Sequence, residues 1–217
     1  IGFGGLDADF SKNSWRTIIA ACQNKQVPDT WNVGDSCMMA FGKKNYQIDI
    51  IGKNHDDYAD GSGKAPLTFQ MHTTYATQYK MNGAEYNNCG WKNCLVRTYN
   101  AFPKLKQVMP AEVVAALKAV TKKTTAGGAS SAIDTTEDTL FLLSEIEVQG
   151  TRTHSYAGEG TQYAYYQTAA NQKKNRAWYL RSPRISSTTC FCRTGWSGEA
   201  DWSVASEVDG IAAAWCF

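Results

Sequence analysis

The sequence predicts an α+β domain with short, mostly antiparallel strands, two or three helices and much loop. Apolar residues fall at every second position at Tyr46, Ile48 and Ile50, a pattern typical of a strand with one buried face. Between residues 15 and 22, apolar residues recur at helical spacing instead. The predicted helices and strands do not alternate as in βαβ units, which favours a mixed architecture over a doubly wound one.

One domain is expected at residues 14–217, after an irregular lead-in at residues 1–13 that contains the Gly/Phe run 2–5. A chain of 217 residues can bury a substantial core as a single unit. Ser14 is predicted to cap the first helix. The apolar stripe of that helix is formed by Trp15, Ile18, Ile19 and Cys22.

A hairpin is predicted next, with arms at residues 37–41 and 46–52. The Asp-rich segment 54–61 that follows is similar to the start of a calcium loop, but Leu67 stands where such a loop carries its bidentate Glu. The sequence therefore favours a turn whose Asp side chains bond backbone amides, and calcium in another geometry stays open.

The middle of the chain is expected to supply a strand at residues 67–71 and a helix at residues 91–99. A second helix should begin at residues 109–112, with Pro110 in its first turn and a buried face that extends to Val120.

Further along, residues 127–131 are predicted to form a flexible loop and residues 139–143 a central strand. Ser144 and Glu147 have the spacing of a capping box. Short strands are expected near the C-terminus, at residues 190–193 and 211–215.

Composition argues against some partners and favours others. The net charge is +2, and the basic residues form short runs expected on solvated faces, so a nucleic-acid partner is not predicted. No apolar run reaches membrane-spanning length, so membrane insertion is not predicted. The 7 Trp and 11 Tyr stand out, many of them in Gly-, Ser- and Thr-rich surroundings. Exposed Tyr and Trp give large contact areas at low entropic cost, which suits a recognition surface. The three basic runs are Lys104/Lys106, Lys118/Lys122/Lys123 and Lys173/Lys174/Arg176.

The sequence predicts no enzyme, no metal and no other cofactor. It contains no Gly-x-Ser-x-Gly elbow, no phosphate-binding loop and no His-Glu-x-x-His motif. His55 or His72 would need a cysteine close in space to form a dyad, and sequence alone does not bring them together. The seven cysteines are expected to be free, partly buried thiols. Two close pairs have no second ligand pair at zinc-site spacing, namely Cys89 with Cys94 and Cys190 with Cys192.

Four segments occur in an order that resembles a known family: Asn54–Gly61, Leu140–Glu145, Trp178–Pro183 and Gly210–Phe217. Together they resemble a domain of unknown function found at the C-termini of phage tail proteins and bacterial surface proteins. Its relatives look like C-type-lectin-fold domains of the formylglycine-generating-enzyme type, including the variable proteins of diversity-generating retroelements. The resemblance covers about residues 15–217 and implies a C-type-lectin-like fold in a ligand-binding display domain.

The resemblance places sequence variation between the Arg-Ser-Pro motif and the C-terminus, in a stretch that reads as neither helix nor regular strand. Trp178, Leu180 and Pro183 should anchor this stretch in the core, and Arg181, if buried, needs an Asp or Glu partner. Residues 184–206, named the display surface below, mix aromatic, hydroxyl and charged groups that suit ligand contact. The candidate ligand-binding residues are Arg184, Ile185, Ser187, Arg193, Thr194, Trp196, Ser197, Glu199, Asp201, Trp202, Ser203 and Ser206.

The implied partner is a host cell-surface protein or glycan. The implied setting is a virion, as a phage tail fibre in which the domain could form a homo-trimer, and the alternative is the bacterial cell surface. Two other functions stay open. One is a calcium-dependent lectin, and the other is an oxidase of the formylglycine-generating type that would use Cys190 and Cys192.

Overall fold

A computed structural model describes residues 5–217, so the Gly/Phe run expected at residues 2–5 lies almost entirely outside the described residues. The rest of the expected lead-in is part of the domain. Phe10–Lys12 forms a 3-10 turn capped by Asp9. Phe10 is buried and packs edge-on against Trp31, with ring centroids 5.2 Å apart.

Within the described residues the chain forms five short α-helices. Ser14 caps the first helix by accepting a hydrogen bond from the Thr17 amide, and Ser144 and Glu147 form the predicted capping box of the last. The helices are α1 at Trp15–Gln23, α2 at Leu95–Thr98, α3 at Ala101–Val108, α4 at Ala111–Ala116 and α5 at Glu145–Gln149.

The helical predictions for residues 91–120 were wrong in part. Only the end of the stretch 91–99 is helical, because turns occupy the residues before Leu95. Helix α4 ends at Ala116, so Val120 belongs to a strand and not to the buried face of that helix. Helix α3 was not predicted, although Pro103 lies in its first turn, where proline is tolerated.

Four antiparallel strands form the largest sheet, in the order β1-β2-β3-β9. The predicted hairpin is present as β1 and β2, and the register pairs Phe41 with Lys44 across its turn. The C-terminal strand pairs with β3 and is shorter than expected. The strands are β1 at Ser36–Phe41, β2 at Lys44–Lys53, β3 at Leu67–Met71 and β9 at Ala214–Cys216.

Strands β4 (Val120–Gly127) and β5 (Ser130–Asp138) form a hairpin that was not predicted. The expected flexible loop 127–131 is its tight turn. Gly127 has a φ of +84°, and a Cβ atom there would lie 2.0 Å from the carbonyl oxygen of Asn87. The stretch 139–143 is buried as expected but is not a strand, since its one ladder contact is a bridge between Phe141 and Ala214.

The third sheet contains β6 (Trp178–Pro183), β7 (Cys190–Thr194) and β8 (Ala200–Val204), in that order. All six residues of β6 are buried, which confirms that this motif anchors the C-terminal region. The strand predicted at residues 190–193 is present as β7, but β8 was not predicted, so the display surface contains more regular structure than expected. Within the described residues, no helix is both long and apolar enough to cross a bilayer.

An aromatic cluster around Phe69 joins the N-terminal and C-terminal segments in the core. The Phe69 ring lies 5.6 Å from Trp15, 5.3 Å from Phe217 and 6.2 Å from Phe10, measured between ring centroids. Phe69 is fully buried. Burial of large aromatic side chains is a dominant stabilising contribution to a core.

We predict that Phe69→Ala lowers the free energy of unfolding by about 3–5 kcal/mol, because it removes the centre of this cluster and leaves a cavity. Urea unfolding would measure the change. Tyr99→Ala is the matched control, since Tyr99 is 75% exposed, and it should change stability by less than about 0.5 kcal/mol. Equal effects of the two substitutions would contradict the packing described for Phe69.

Candidate functional site

The display surface lies on strands that a buried arginine holds in place. Arg181, in the middle of β6, is fully buried and uses its whole guanidinium group. Both Nη atoms donate to the Glu147 carboxylate of α5, and Nε donates to the Thr124 hydroxyl of β4 at 2.9 Å. Further bonds reach main-chain carbonyls, including that of Leu142 at 3.0 Å. The prediction that Arg181 has an acidic partner is confirmed.

Lys122 joins the same cluster, although its basic run was expected on a solvated face. Its Nζ donates to Asp56 at 2.5 Å, to Glu147 at 3.0 Å and to the Tyr163 hydroxyl at 2.8 Å. Lys122 is buried because side chains alternate along β4, which places it on the same inward face as Val120. Asp56, Lys122, Glu147 and Arg181, named the ion cluster below, carry two charges of each sign.

The charges of the ion cluster shift the pKa values of its acids. Burial alone would raise the pKa of Glu147, but the positive charges of Arg181 and Lys122 outweigh it and hold that pKa below the usual 4.5. Burial is likewise outweighed at Asp56, where Lys122 and the Thr68 hydroxyl lower the pKa from the usual 3.8. Both carboxyls are therefore ionised at neutral pH, as the ion pairs require.

Two further buried carboxylates connect the ion cluster to the loops. Glu159 accepts hydrogen bonds from the Ser182 hydroxyl of β6 and from Thr125 of β4, and burial raises its pKa above the usual 4.5. Glu145 accepts backbone N–H bonds from residues 153–155 at 2.8–3.1 Å. These bonds fix the loop that lies beside the display surface.

The loop at residues 184–189 is held at several points of its main chain. Asn87 donates from Nδ2 to the carbonyls of Ser187 and Cys190, both at 2.8 Å, and its own amide donates to the carbonyl of Thr188. The Ile185 amide donates to the carbonyl of His154 at 2.7 Å. Nothing in the sequence marked Asn87, because its role depends on contacts about 100 positions away.

The turn at residues 195–199 is also fixed. The Glu199 carboxylate accepts a hydrogen bond from the Ser197 amide at 2.9 Å, and the Gly195 amide donates to the Glu199 carbonyl. Gln149 of α5 donates to the carbonyl of Gly198 at 3.0 Å. The turn that carries Trp196 is therefore tied to the helix that also supplies Glu147.

The structure divides the predicted ligand-binding residues by exposure. Two are buried in strands and so cannot form part of the exposed surface: Thr194, which is fully buried, and Ser203, which is 8% exposed. Five are partly buried: Arg184, Ser187, Arg193, Asp201 and Ser206. Five are exposed: Ile185, Trp196, Ser197, Glu199 and Trp202.

Two pairs of the predicted residues meet through their side chains. Arg193 donates to Asp201 at 2.7 Å and also to Asp209 at 3.0 Å, so its charge is neutralised within the protein. The guanidinium carbon of Arg184 lies 4.1 Å from the centroid of the Trp202 ring. Trp196, at 65% exposure, is the most exposed aromatic residue of the display surface.

A polar cavity of about 270 Å³ opens beside the ion cluster. His55 lines it and stacks on Tyr163, with ring centroids 3.9 Å apart, and burial lowers its pKa so that it is neutral at pH 7. The lining includes Lys122, Glu147 and Arg181, whose polar groups already bond one another. These three groups therefore offer no free charge to a ligand.

The other histidine considered for a dyad, His72, bonds to a buried carboxylate instead of a cysteine. Its Nδ1 lies 2.7 Å from Asp49, which also accepts a hydrogen bond from the Tyr165 hydroxyl. All seven cysteines are free thiols. Residues 5–217 contain no group of three or more His, Cys, Asp or Glu side chains arranged to hold a metal ion.

The comparisons with known proteins identify the family. Residues 67–216, well over half of the chain, match the family described as a domain of unknown function (DUF6273). The chain belongs to this family. Comparison with curated proteins and with solved structures finds no match.

We predict that Glu147→Gln lowers the free energy of unfolding by about 3–5 kcal/mol, because Arg181 and Lys122 would stay buried without their shared carboxylate. The exposed ion pair between Arg16 and Glu112, 3.6 Å long, gives the matched control. Glu112→Gln should change stability by less than about 1 kcal/mol. Chemical denaturation of both variants is the measurement, and a mild effect of Glu147→Gln would contradict the role of the ion cluster.

The ion cluster also predicts a pH dependence. The pKa values of Asp56 and Glu147 are lowered by folding, so their ionised forms stabilise the protein above the usual values of 3.8 and 4.5. That stabilisation is lost as the pH falls through the lower folded-state values. The raised pKa of Glu159 acts oppositely, since stability is lost as the pH rises through its folded-state value.

We therefore expect wild-type stability to fall steeply below about pH 4.5 and to fall less steeply in Glu147→Gln. Urea unfolding across a series of pH values would show this. Parallel pH profiles for the two proteins would count against the ionised state of Glu147 in the fold.

Proposed function

We propose that the domain is a non-enzymatic ligand-binding display domain with a C-type-lectin-like fold, and that the display surface binds a host cell-surface protein or glycan. The observation that carries the proposal is that exposed aromatic and charged side chains lie on a backbone that buried interactions hold in place. Pre-organisation of this kind lowers the entropic cost of binding.

The position of the Trp-Tyr-Leu-Arg-Ser-Pro motif supports the fold assignment. The motif forms strand β6, which is buried throughout, and two strands that carry the display surface follow it directly. The C-terminal motif returns to the largest sheet as β9, beside β3. The resemblance to phage tail and bacterial surface proteins favours a virion fibre as the setting, with a bacterial cell surface as the alternative.

The side chains on the surface support a binding role. Trp196 and Trp202 are 65% and 38% exposed, and Ile185 is 37% exposed. Aromatic residues dominate the energetics of binding sites, and a few of them commonly carry most of the affinity. Four of the five residues of β7 and Ser203 of β8 are buried, so replacement of the whole stretch would also remove parts of the core.

The test is therefore directed at exposed positions only. Fluorescently labelled domain is mixed with a panel of bacterial strains, and adsorption is measured by flow cytometry. We expect the wild type to adsorb to a subset of strains. The double variant Ile185→Ser with Trp196→Ser should lose at least about 30-fold in affinity, which corresponds to about 2 kcal/mol.

Tyr99→Ser is the control, because Tyr99 is an exposed aromatic on a different part of the fold, directly after α2. It should adsorb as the wild type does. Unchanged adsorption of the double variant, or equal loss in the control, would refute the display surface as the binding site.

A further inference from the structure

Arg184 differs from the other arginine of the display surface. Arg193 is neutralised by Asp201 and Asp209. Within residues 5–217, the Arg184 side chain has no hydrogen bond and no carboxylate at ion-pair distance, and its Nε is buried without a partner. Its guanidinium group lies instead against the Trp202 ring, at 4.1 Å. A cation positioned by an aromatic ring keeps its terminal N–H groups for an acceptor outside the protein.

Strand geometry keeps other charges away from this pair. The register places Trp202 opposite Cys192 and Asp201 opposite Arg193, so Asp201 lies on the other face of the sheet. The neighbours of Trp202 on its own face are uncharged: Cys190, Cys192, Thr194, Ala200 and Val204.

The two buried carboxylates near Cys192 do not neutralise Arg184 either. Neither forms an ion pair with Arg184: Glu145 accepts from the amides of residues 153–155, and Glu159 accepts from Ser182 and Thr125. The positive charge of Arg184 is therefore unpaired at the surface, and an unpaired arginine is suited to bidentate binding of a carboxylate.

We propose that Arg184 and Trp202 form a platform that binds the carboxylate of an acidic sugar in a surface polysaccharide. The proposal rests on the proposed function, since it names the ligand class of the display surface. The sugar carboxylate pairs with the guanidinium group. Sugar hydroxyls bond the exposed Ser186 and Thr188 of the adjoining loop. The apolar face of the sugar ring packs beside Ile185.

The size of the platform favours a sugar over an acidic protein. One cation, one ring at 38% exposure and one loop offer contact for a unit the size of a monosaccharide. A stable protein interface buries about 800 Å² on each partner and has an apolar centre. Small sites with a few placed polar groups beside an aromatic surface are typical of small-ligand recognition.

The test uses an immobilised panel of glycans that carry uronic or sialic acids, each beside its carboxyl-reduced counterpart. Dextran sulfate and a polyglutamate peptide are included as other polyanions. We expect binding to at least one carboxylated glycan and none to its reduced form. Arg184→Gln should weaken this binding at least tenfold. Arg184→Lys should weaken it too, because a lysine keeps the charge but lacks the planar fork.

Lys43→Gln is the charge-matched control, since Lys43 is exposed in the turn between β1 and β2, on another sheet. It should bind as the wild type does, and thermal melting of all variants would check that they are folded. The platform is refuted if no carboxylated glycan binds, if Lys43→Gln loses as much as Arg184→Gln, or if polyglutamate or dextran sulfate binds as tightly as the glycan.

The cell-adsorption measurement separates this proposal from the proposed function. Loss of adsorption in the Ile185/Trp196 variant together with full adsorption of Arg184→Gln would refute the platform and leave the display surface as the binding site. Full adsorption of both variants would refute both proposals.

Discussion

The bidentate pair between Arg181 and Glu147 is the contact on which the rest of the fold depends. It joins strand β6 to helix α5, and Lys122 extends it to β4 and to Asp56 in the loop after β2. These four charges therefore connect the sheet of β6, the hairpin of β4 and β5, and the loop that follows β2 of the largest sheet. Removing such charges from water costs several kcal/mol for each ion, so a balanced set with complete hydrogen bonding is the condition for its burial.

The ion cluster is connected to the display surface through the carboxylates that surround it. Ser182 follows Arg181 on β6, binds Glu159 and accepts from the amide of Glu145. Glu145 in turn holds the loop whose His154 carbonyl receives the Ile185 amide. A chain of hydrogen bonds thus leads from the centre of the domain to the first residues of the display surface. The side chains at the surface take their positions from polar groups that no ligand would touch.

The sequence predicted those parts of the fold whose signals are local. The cap at Ser14, the hairpin of β1 and β2 and the capping box at Ser144 each depend on a few neighbouring residues, and each is present. The hairpin of β4 and β5 was missed, because its strands are rich in Thr, Ser and Lys, and its turn reads as a flexible loop.

In the candidate site, too, the sequence predicted what depends on local signals and missed what depends on long-range contacts. The acidic partner of Arg181 was predicted in kind, because a buried cation requires one, but Glu147 could be named only from the structure. Lys122 was misassigned to a solvated face, although its position two residues after Val120 is a signal for burial in a strand. Thr194 and Ser203 were included in the surface because the local sequence does not show how their strands pair. The pairing decides on which side of the sheet each residue lies.

The way in which the loop at residues 184–189 is held has a consequence for its evolution. Asn87 and the His154 carbonyl bind main-chain atoms of the loop, which every amino acid except proline possesses. Apart from Ser187, whose hydroxyl accepts from the amides of Thr189 and Cys190, the side chains contribute little to the shape of the loop. Ile185 and Thr188 can therefore change identity while the backbone keeps its conformation. The shape of the loop is thus set by residues outside it, and exchange of its exposed side chains can change what the loop binds while that shape is kept.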